Sequence, residues 1–117
     1  MYLNFIITTI LFISCSFFKG IKLHYVEKGD PKNPLIVFVH GFPEFWYSWR
    51  HQLKEFSKDY WTIAIDQRGY GQSDKPSNVS EYHVDNMADD INALVKSLGK
   101  VLNFLSRTQK LNSICTR

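Results

Sequence analysis

Cysteine is nearly missing from this sequence. Of 117 residues only Cys15 and Cys115 carry a thiol, at opposite ends of the chain and outside any C-x-x-C pair. A disulfide framework and a cysteine-ligated metal are both unsupported on that count. The four histidines, His24, His40, His51 and His83, are scattered without ligand spacing, so no metal site is expected. Glycine is sparse, with six in all and none after Gly99, and no aspartate or glutamate follows Asp90. Residues 100–117 therefore hold neither a side-chain carboxylate nor a glycine that could relax a strained turn. Charge is also absent from Met1 to Phe18. Internal repeats and low-complexity segments do not occur, which excludes solenoids and fibrous assemblies.

What is present is globular in character. Apolar residues make up 44% and charged ones 21%, too much core and too little charge for a disordered chain. Nine Phe, six Tyr and three Trp supply apolar area for one small domain, and the length allows no second. The net charge of +3 comes largely from the tail, where Lys100, Arg107, Lys110 and Arg117 face no acid. No aromatic pattern interleaves these charges, so they read as solvated surface, and no nucleic-acid partner is expected.

Residues 1–18 form an N-terminal apolar segment. Its core, Leu3–Phe18, has the apolar length of a secretory signal, and Ser14 and Ser16 are small enough to flank a cleavage site. Lys19, Lys22 and Lys28 follow it rather than precede it, which favours an uncleaved anchor with that side cytoplasmic. The competing reading is a buried strand pair opening the domain. Localisation is accordingly expected at a membrane, that of the endoplasmic reticulum, with secretion as the alternative. Asn78-Val79-Ser80 is a glycosylation sequon that matters only if the domain faces the lumen.

From Ile21 the pattern is that of a folded domain. Ile21, Leu23 and Tyr25 alternate with Lys22, His24 and Val26, as in a half-buried strand. A turn cluster at Gly29–Pro34 precedes Leu35–Val39, an unbroken apolar run suited to a strand covered on both faces. Trp46, Trp49, Leu53 and Phe56 fall at helical spacing, Trp61–Ile65 reads as a strand, and a glycine-rich loop covers Gln67–Pro76. Met87, Ile91, Leu94, Val95 and Leu98 predict a second helix ending at Gly99. The alternation argues for an α/β fold with a parallel sheet and helices on its faces.

Two motifs carry chemistry. In His40-Gly41-Phe42-Pro43, Gly41 permits a sharp turn and Pro43 fixes it, so that the Phe42 N–H can face a cleft and donate to an oxyanion. An ordinary strand-to-helix turn accounts for the same four residues equally well, with His40 structural. In Asp66-Gln67-Arg68-Gly69-Tyr70-Gly71-Gln72-Ser73-Asp74-Lys75-Pro76, the third glycine of a dinucleotide loop is missing. Gly71-Gln72-Ser73 is half of a serine elbow, but Lys75 stands at the closing glycine. Asp66 and Arg68 read as a local ion pair or hydrogen-bond clamp on this loop.

Together the motifs are more specific than either alone. The stretch Gly20–Gly99 resembles the N-terminal part of the α/β-hydrolase fold and, within it, the epoxide hydrolases. The residues that carry this are Leu23-His24-Tyr25-Val26, then His40 to Arg50, then Asp66 to Lys75. Phe42-Pro43-Glu44-Phe45-Trp46-Tyr47-Ser48-Trp49 looks particularly like membrane-associated animal epoxide hydrolases. The resemblance implies that the Phe42 N–H forms half of an oxyanion hole and that Pro43 and Trp46 line or support the substrate cleft. Asp66, Arg68, Gly69, Gly71 and Ser73 would shape the neighbouring loop. It also implies a small-molecule epoxide substrate, hydrolysis through an aspartyl ester, and no metal or organic cofactor.

The same resemblance sets out what residues 100–117 lack. The family nucleophile sits in a Gly-x-Asp-x-Gly elbow on the strand after the helix that ends near Leu98. Lys100-Val101-Leu102-Asn103-Phe104-Leu105 begins as such a strand and then diverges, with no lid tyrosine, late acid or late histidine. His83 lies in a polar stretch and is a poor base. The expected architecture is therefore an incomplete α/β-hydrolase sheet: residues 20–99 as its first part and residues 100–117 as a divergent tail. The expected function is the N-terminal fragment of an epoxide hydrolase-like enzyme, inactive on its own. The alternatives are a non-catalytic truncated isoform that pairs with a full-length relative, a chain that never folds stably, or a fragment of a related hydrolase such as a haloalkane dehalogenase. Leu35–Val39 would be left as an open edge unless Val101–Leu105 adds to it.

Overall fold

The computed structural model describes residues 12–107. They form a mixed five-stranded sheet in the order β1-β2-β4-β3-β5: β1 Phe12–Phe18, β2 Ile21–Lys28, β3 Leu35–Val39, β4 Trp61–Ile65 and β5 Phe104–Arg107. β3 pairs in parallel with both β4 and β5, whereas β2 is antiparallel to both β1 and β4. The sheet is thus not wholly parallel. The reason is local: Phe18 faces Ile21 across a two-residue turn in which Lys19 and Gly20 take φ of 46° and 78°. Two successive positive φ values make the hairpin turn whose twist matches that of its strands.

Residues 1–11, most of the Leu3–Phe18 segment read as a signal or anchor, lie outside the described residues. Its remainder does not continue a membrane helix. Ser14, Ser16 and Phe18 are half-buried while Cys15 and Phe17 are exposed, the period-2 pattern of an edge strand. No helix among the described residues is long and apolar enough to cross a membrane.

Each sheet face has its own core. On one, Leu35, Val37 and Val39 of β3 and Ile63 and Ile65 of β4 meet Ile91, Leu94 and Val95 of α2, the helix Val84–Ser97. On the other, Val26, Ile36, Phe38 and Ala64 meet Trp49 and Leu53. The stretch expected as one helix from Trp46 to Phe56 is divided into a 3-10 turn, Trp46–Trp49, and a short helix α1, Arg50–Phe56. α2 ends as its sequence indicates: Gly99 takes φ 67° and the Lys100 N–H reaches the Val95 carbonyl at 3.3 Å, the bond that closes a left-handed helix cap.

β2 is more deeply covered than its alternation suggests, with Leu23–Val26 all buried. It pairs with β4 only from Tyr25 to Lys28. Ahead of that, the loop after β4 closes its edge: the His24 N–H donates to Ser73 Oγ at 2.9 Å and the Lys22 N–H to Asp74 Oδ2 at 2.7 Å. β5 begins later than the Val101–Leu105 expectation, at Phe104. It nevertheless covers β3, so the apolar strand is not an open edge.

Candidate functional site

β3 and β4 run in the same direction, so His40 and Asp66, the residues that follow them, emerge at one end of the sheet. In open α/β sheets this carboxyl end is where ligands bind. His40 is fully buried and its ring is used twice. Nδ1 lies 2.9 Å from the Gly41 carbonyl and Nε2 lies 3.0 Å from the Gln67 N–H. Since a backbone amide can only donate, Nε2 accepts and Nδ1 carries the proton: the imidazole is neutral. Burial pushes its pKa below the usual 6.5, the same conclusion reached from desolvation. Gln67 Nε2 donates back to the His40 carbonyl at 2.6 Å. His40 is a fastener between two strand ends, as the sequence indicates, and has no ring nitrogen left for acid–base work.

The turn that follows is closed by the Glu44 N–H to the Gly41 carbonyl at 2.9 Å and contains a cis Phe42-Pro43 bond. Gly41 is buried, Pro43 is exposed and the Phe42 side chain is 67% exposed. The Phe42 N–H takes no partner among the described residues, whereas the flanking Gly41 N–H is engaged by Glu44 Oε2 at 3.3 Å. An amide left free at the carboxyl end of a parallel strand is a donor available to a developing oxyanion. Trp46 is half-buried against the Val26–Phe38 core, and its N–H donates to Asp66 Oδ1 at 2.8 Å. Of the residues singled out in sequence, Phe42, Pro43 and Trp46 therefore share one turn, braced at both ends.

Asp66 is the brace. Its carboxylate, fully buried, accepts from Trp46 N–H, from the Gln72 N–H at 3.1 Å and faces His24 Nδ1 at 2.8 Å. Gly71 must be glycine: at φ 52° a Cβ would sit 2.2 Å from the Asp66 carboxylate. The loop is folded around its own acid and forms no cradle for a phosphate. Asp66 and Arg68 do not pair with each other, contrary to one sequence reading. Arg68 instead meets Asp90 of α2 through two bonds of 2.7 Å and donates to the Glu81 carbonyl at 2.7 Å. The Asp90 carboxylate raises the Arg68 pKa further above its usual value. Sequence reasoning missed Asp90 and the depth of His24. The available signal was position, since Asp90 lies three residues after Met87 and four before Leu94, inside the apolar stripe of α2. His83 is exposed and caps α2, accepting from the Asp85 N–H at 3.4 Å.

Comparison with known proteins agrees with this geometry. Residues 34–102 match the alpha/beta hydrolase fold family. Epoxide hydrolase 1 of Caenorhabditis elegans is 53% identical over 81 residues, 69% of this chain but 20% of that protein. Epoxide hydrolase 3 of Xenopus tropicalis is 52% identical over 80 residues, 68% of this chain and 22% of that one. Among solved structures, an epoxide hydrolase of Vigna radiata superposes with a TM-score of 0.78 at 42% identity, covering 83% of this chain and 32% of that structure. The chain thus spans about a fifth of the length of the curated relatives it matches. With an amide after β3 left free among the described residues, a loop closed on Asp66 and a match running through both, the chain belongs to the alpha/beta hydrolase fold family, and the relatives named above are epoxide hydrolases.

Proposed function

We propose that this chain is the N-terminal part of an epoxide hydrolase-like enzyme whose whole form adds water to a small-molecule epoxide to give a diol. The observation that carries this is the unpartnered Phe42 N–H at the carboxyl end of β3, in a turn fixed by His40 and Asp66. In such a reaction a carboxylate attacks an epoxide carbon, the C–O bond breaks, and water then hydrolyses the ester through a tetrahedral oxyanion. A preorganised N–H stabilises that oxyanion, and loss of one such donor typically costs about 100-fold or more in rate. Pro43 and Trp46 would border the substrate.

Among the described residues the donor stands without a free carboxylate beside it, since Glu44 holds the Gly41 N–H. Asp66 is consumed in the brace and His83 in a helix cap. Purified chain incubated with styrene oxide is therefore expected to form no diol above the buffer rate. Turnover abolished by Asp66→Asn or His83→Ala would overturn this.

A second reading, association with a full-length relative, is favoured by the α1 face. Beside β5 lies a groove of about 480 Å³ bordered by Ile36, Phe38, Trp49, Phe56 and Phe104, with Phe104 53% exposed. Trp49 Nε1 and Gln52 Oε1 on its wall are buried without partners among the described residues. The family match ends at residue 102, just ahead of β5, which borders this groove. Co-purification with a full-length relative, weakened by Phe104→Glu, is expected on this reading; a chain that ignores the relative contradicts it. For localisation, the uncharged stretch of residues 1–11 ahead of β1 supports targeting to the endoplasmic reticulum.

A further inference from the structure

The loop between β4 and α2 carries a feature that neither the sheet nor the oxyanion turn uses. Asn78, Val79 and Ser80 are all exposed, and Val79 is 85% exposed at the start of a 3-10 turn, Val79–Tyr82. The Asn78 Oδ1 accepts both the Ser80 N–H, at 3.1 Å, and the Ser80 hydroxyl, at 2.9 Å. Its Nδ2 has no partner among the described residues. The amide nitrogen thus faces solvent while the oxygen is held by the hydroxyl two residues on.

The surroundings leave room for a large polar substituent. The turn is pinned from beneath, by Arg68 Nη1 donating to the Glu81 carbonyl and by the Tyr82 hydroxyl donating to the Pro76 carbonyl, both at 2.7 Å. Neither contact passes through Asn78. A hydrophilic group attached there would remain in water and leave both cores untouched. A second observation concerns access to the modifying enzyme. The eleven residues ahead of β1, Met1–Leu11, contain no charge and include Leu3, Phe5, Ile6, Ile7, Ile10 and Leu11. That matches the apolar centre of a secretory leader, about 7–15 residues long, and the proposal takes this leader reading, which carries the domain into the lumen, over the cytoplasmic-side anchor.

We propose that Asn78 is a site of N-linked glycosylation. The Asn78 Nδ2 attacks the anomeric carbon of an oligosaccharide carried on a pyrophosphate lipid. The new C–N bond forms as the C–O bond to pyrophosphate breaks, the amide gives up one proton to the transferring enzyme, and lipid pyrophosphate leaves. No change of oxidation state is involved. The proposal is independent of the epoxide reading, since it needs neither the Phe42 turn nor a nucleophile.

The test is expression of the full chain, tagged at its C-terminus, in a eukaryotic cell, with gel mobility read before and after an amide-cleaving glycosidase. The expected result is one slow species that the enzyme converts to a faster one. Asn78→Gln and Ser80→Ala should each give only the fast species, while Ser80→Thr keeps the slow one. Persistence of the shift in Asn78→Gln, or a wild-type chain whose mobility the glycosidase does not change, would overturn the assignment. Because these substitutions lie on an exposed turn, equal protease resistance of wild-type and Asn78→Gln chains separates loss of the glycan from loss of the fold.

Discussion

Asp66 joins three parts of the chain through one carboxylate: β2 through His24, the turn after β3 through Trp46, and its own loop through Gln72. Asp66→Ala leaves the buried His24 ring and the part-buried Trp46 N–H and Gln72 N–H without their acceptor, so destabilisation of about 2–4 kcal/mol is expected by urea denaturation. Gly71→Ala should behave similarly, because its Cβ overlaps the same carboxylate. His40 gives a pH signature. Its folded pKa lies below 6.5, so as pH falls through 6.5 the unfolded chain takes up a proton that the folded chain does not. Stability due to His40 is complete above that pH and declines below it. The expected observation is a urea midpoint that falls on acidification, with a shallower fall in His40→Asn. Little of this was legible in sequence. The motif residues stand out as residue types, but which of them touch depends on β3 and β4 ending together, which no local pattern encodes.

The elements were more legible, and where they failed the cause is tertiary. Leu35–Val39 and Trp61–Ile65 read as buried strands and are, because helices on both faces leave no polar side. β2 looked half-exposed because its covering, the loop carrying Ser73 and Asp74, lies some fifty residues on in sequence. Phe12–Phe18, the described end of the apolar run before Lys19, is a strand, since hydropathy alone does not distinguish an apolar strand from a helix; the alternation at Ser14–Phe18 carries that signal. The end of α2 offers a clean test. A Cβ at Gly99 would meet nothing within 4 Å, so Gly99→Ala costs only the left-handed backbone, about 1–2 kcal/mol. That should be clearly less than Gly71→Ala. On the opposite face, Leu53→Ala removes a fully buried side chain and should cost about 2–5 kcal/mol in the same assay.

At the scale of the whole molecule, the fourteen-residue α2 packs on one face of the described sheet and the seven-residue α1 on the other. The exposed Phe104 and Phe56 border the groove beside α1. The chain spans about a fifth of the length of its curated relatives and matches the family over residues 34–102. On the proposed function, the Phe42 N–H is a donor for the reaction's negative charge, while the carboxylates nearest it, Asp66 and Glu44, are held in hydrogen bonds. The most direct measurement is the intact mass of purified chain after incubation with excess styrene oxide near neutral pH and rapid acid quench. The expected result is no epoxide adduct on any carboxylate, with any gain in mass confined to exposed nucleophiles such as the Cys15 thiol. A stoichiometric gain of one epoxide, mapped to a carboxylate side chain and lost on longer incubation in water, would contradict it.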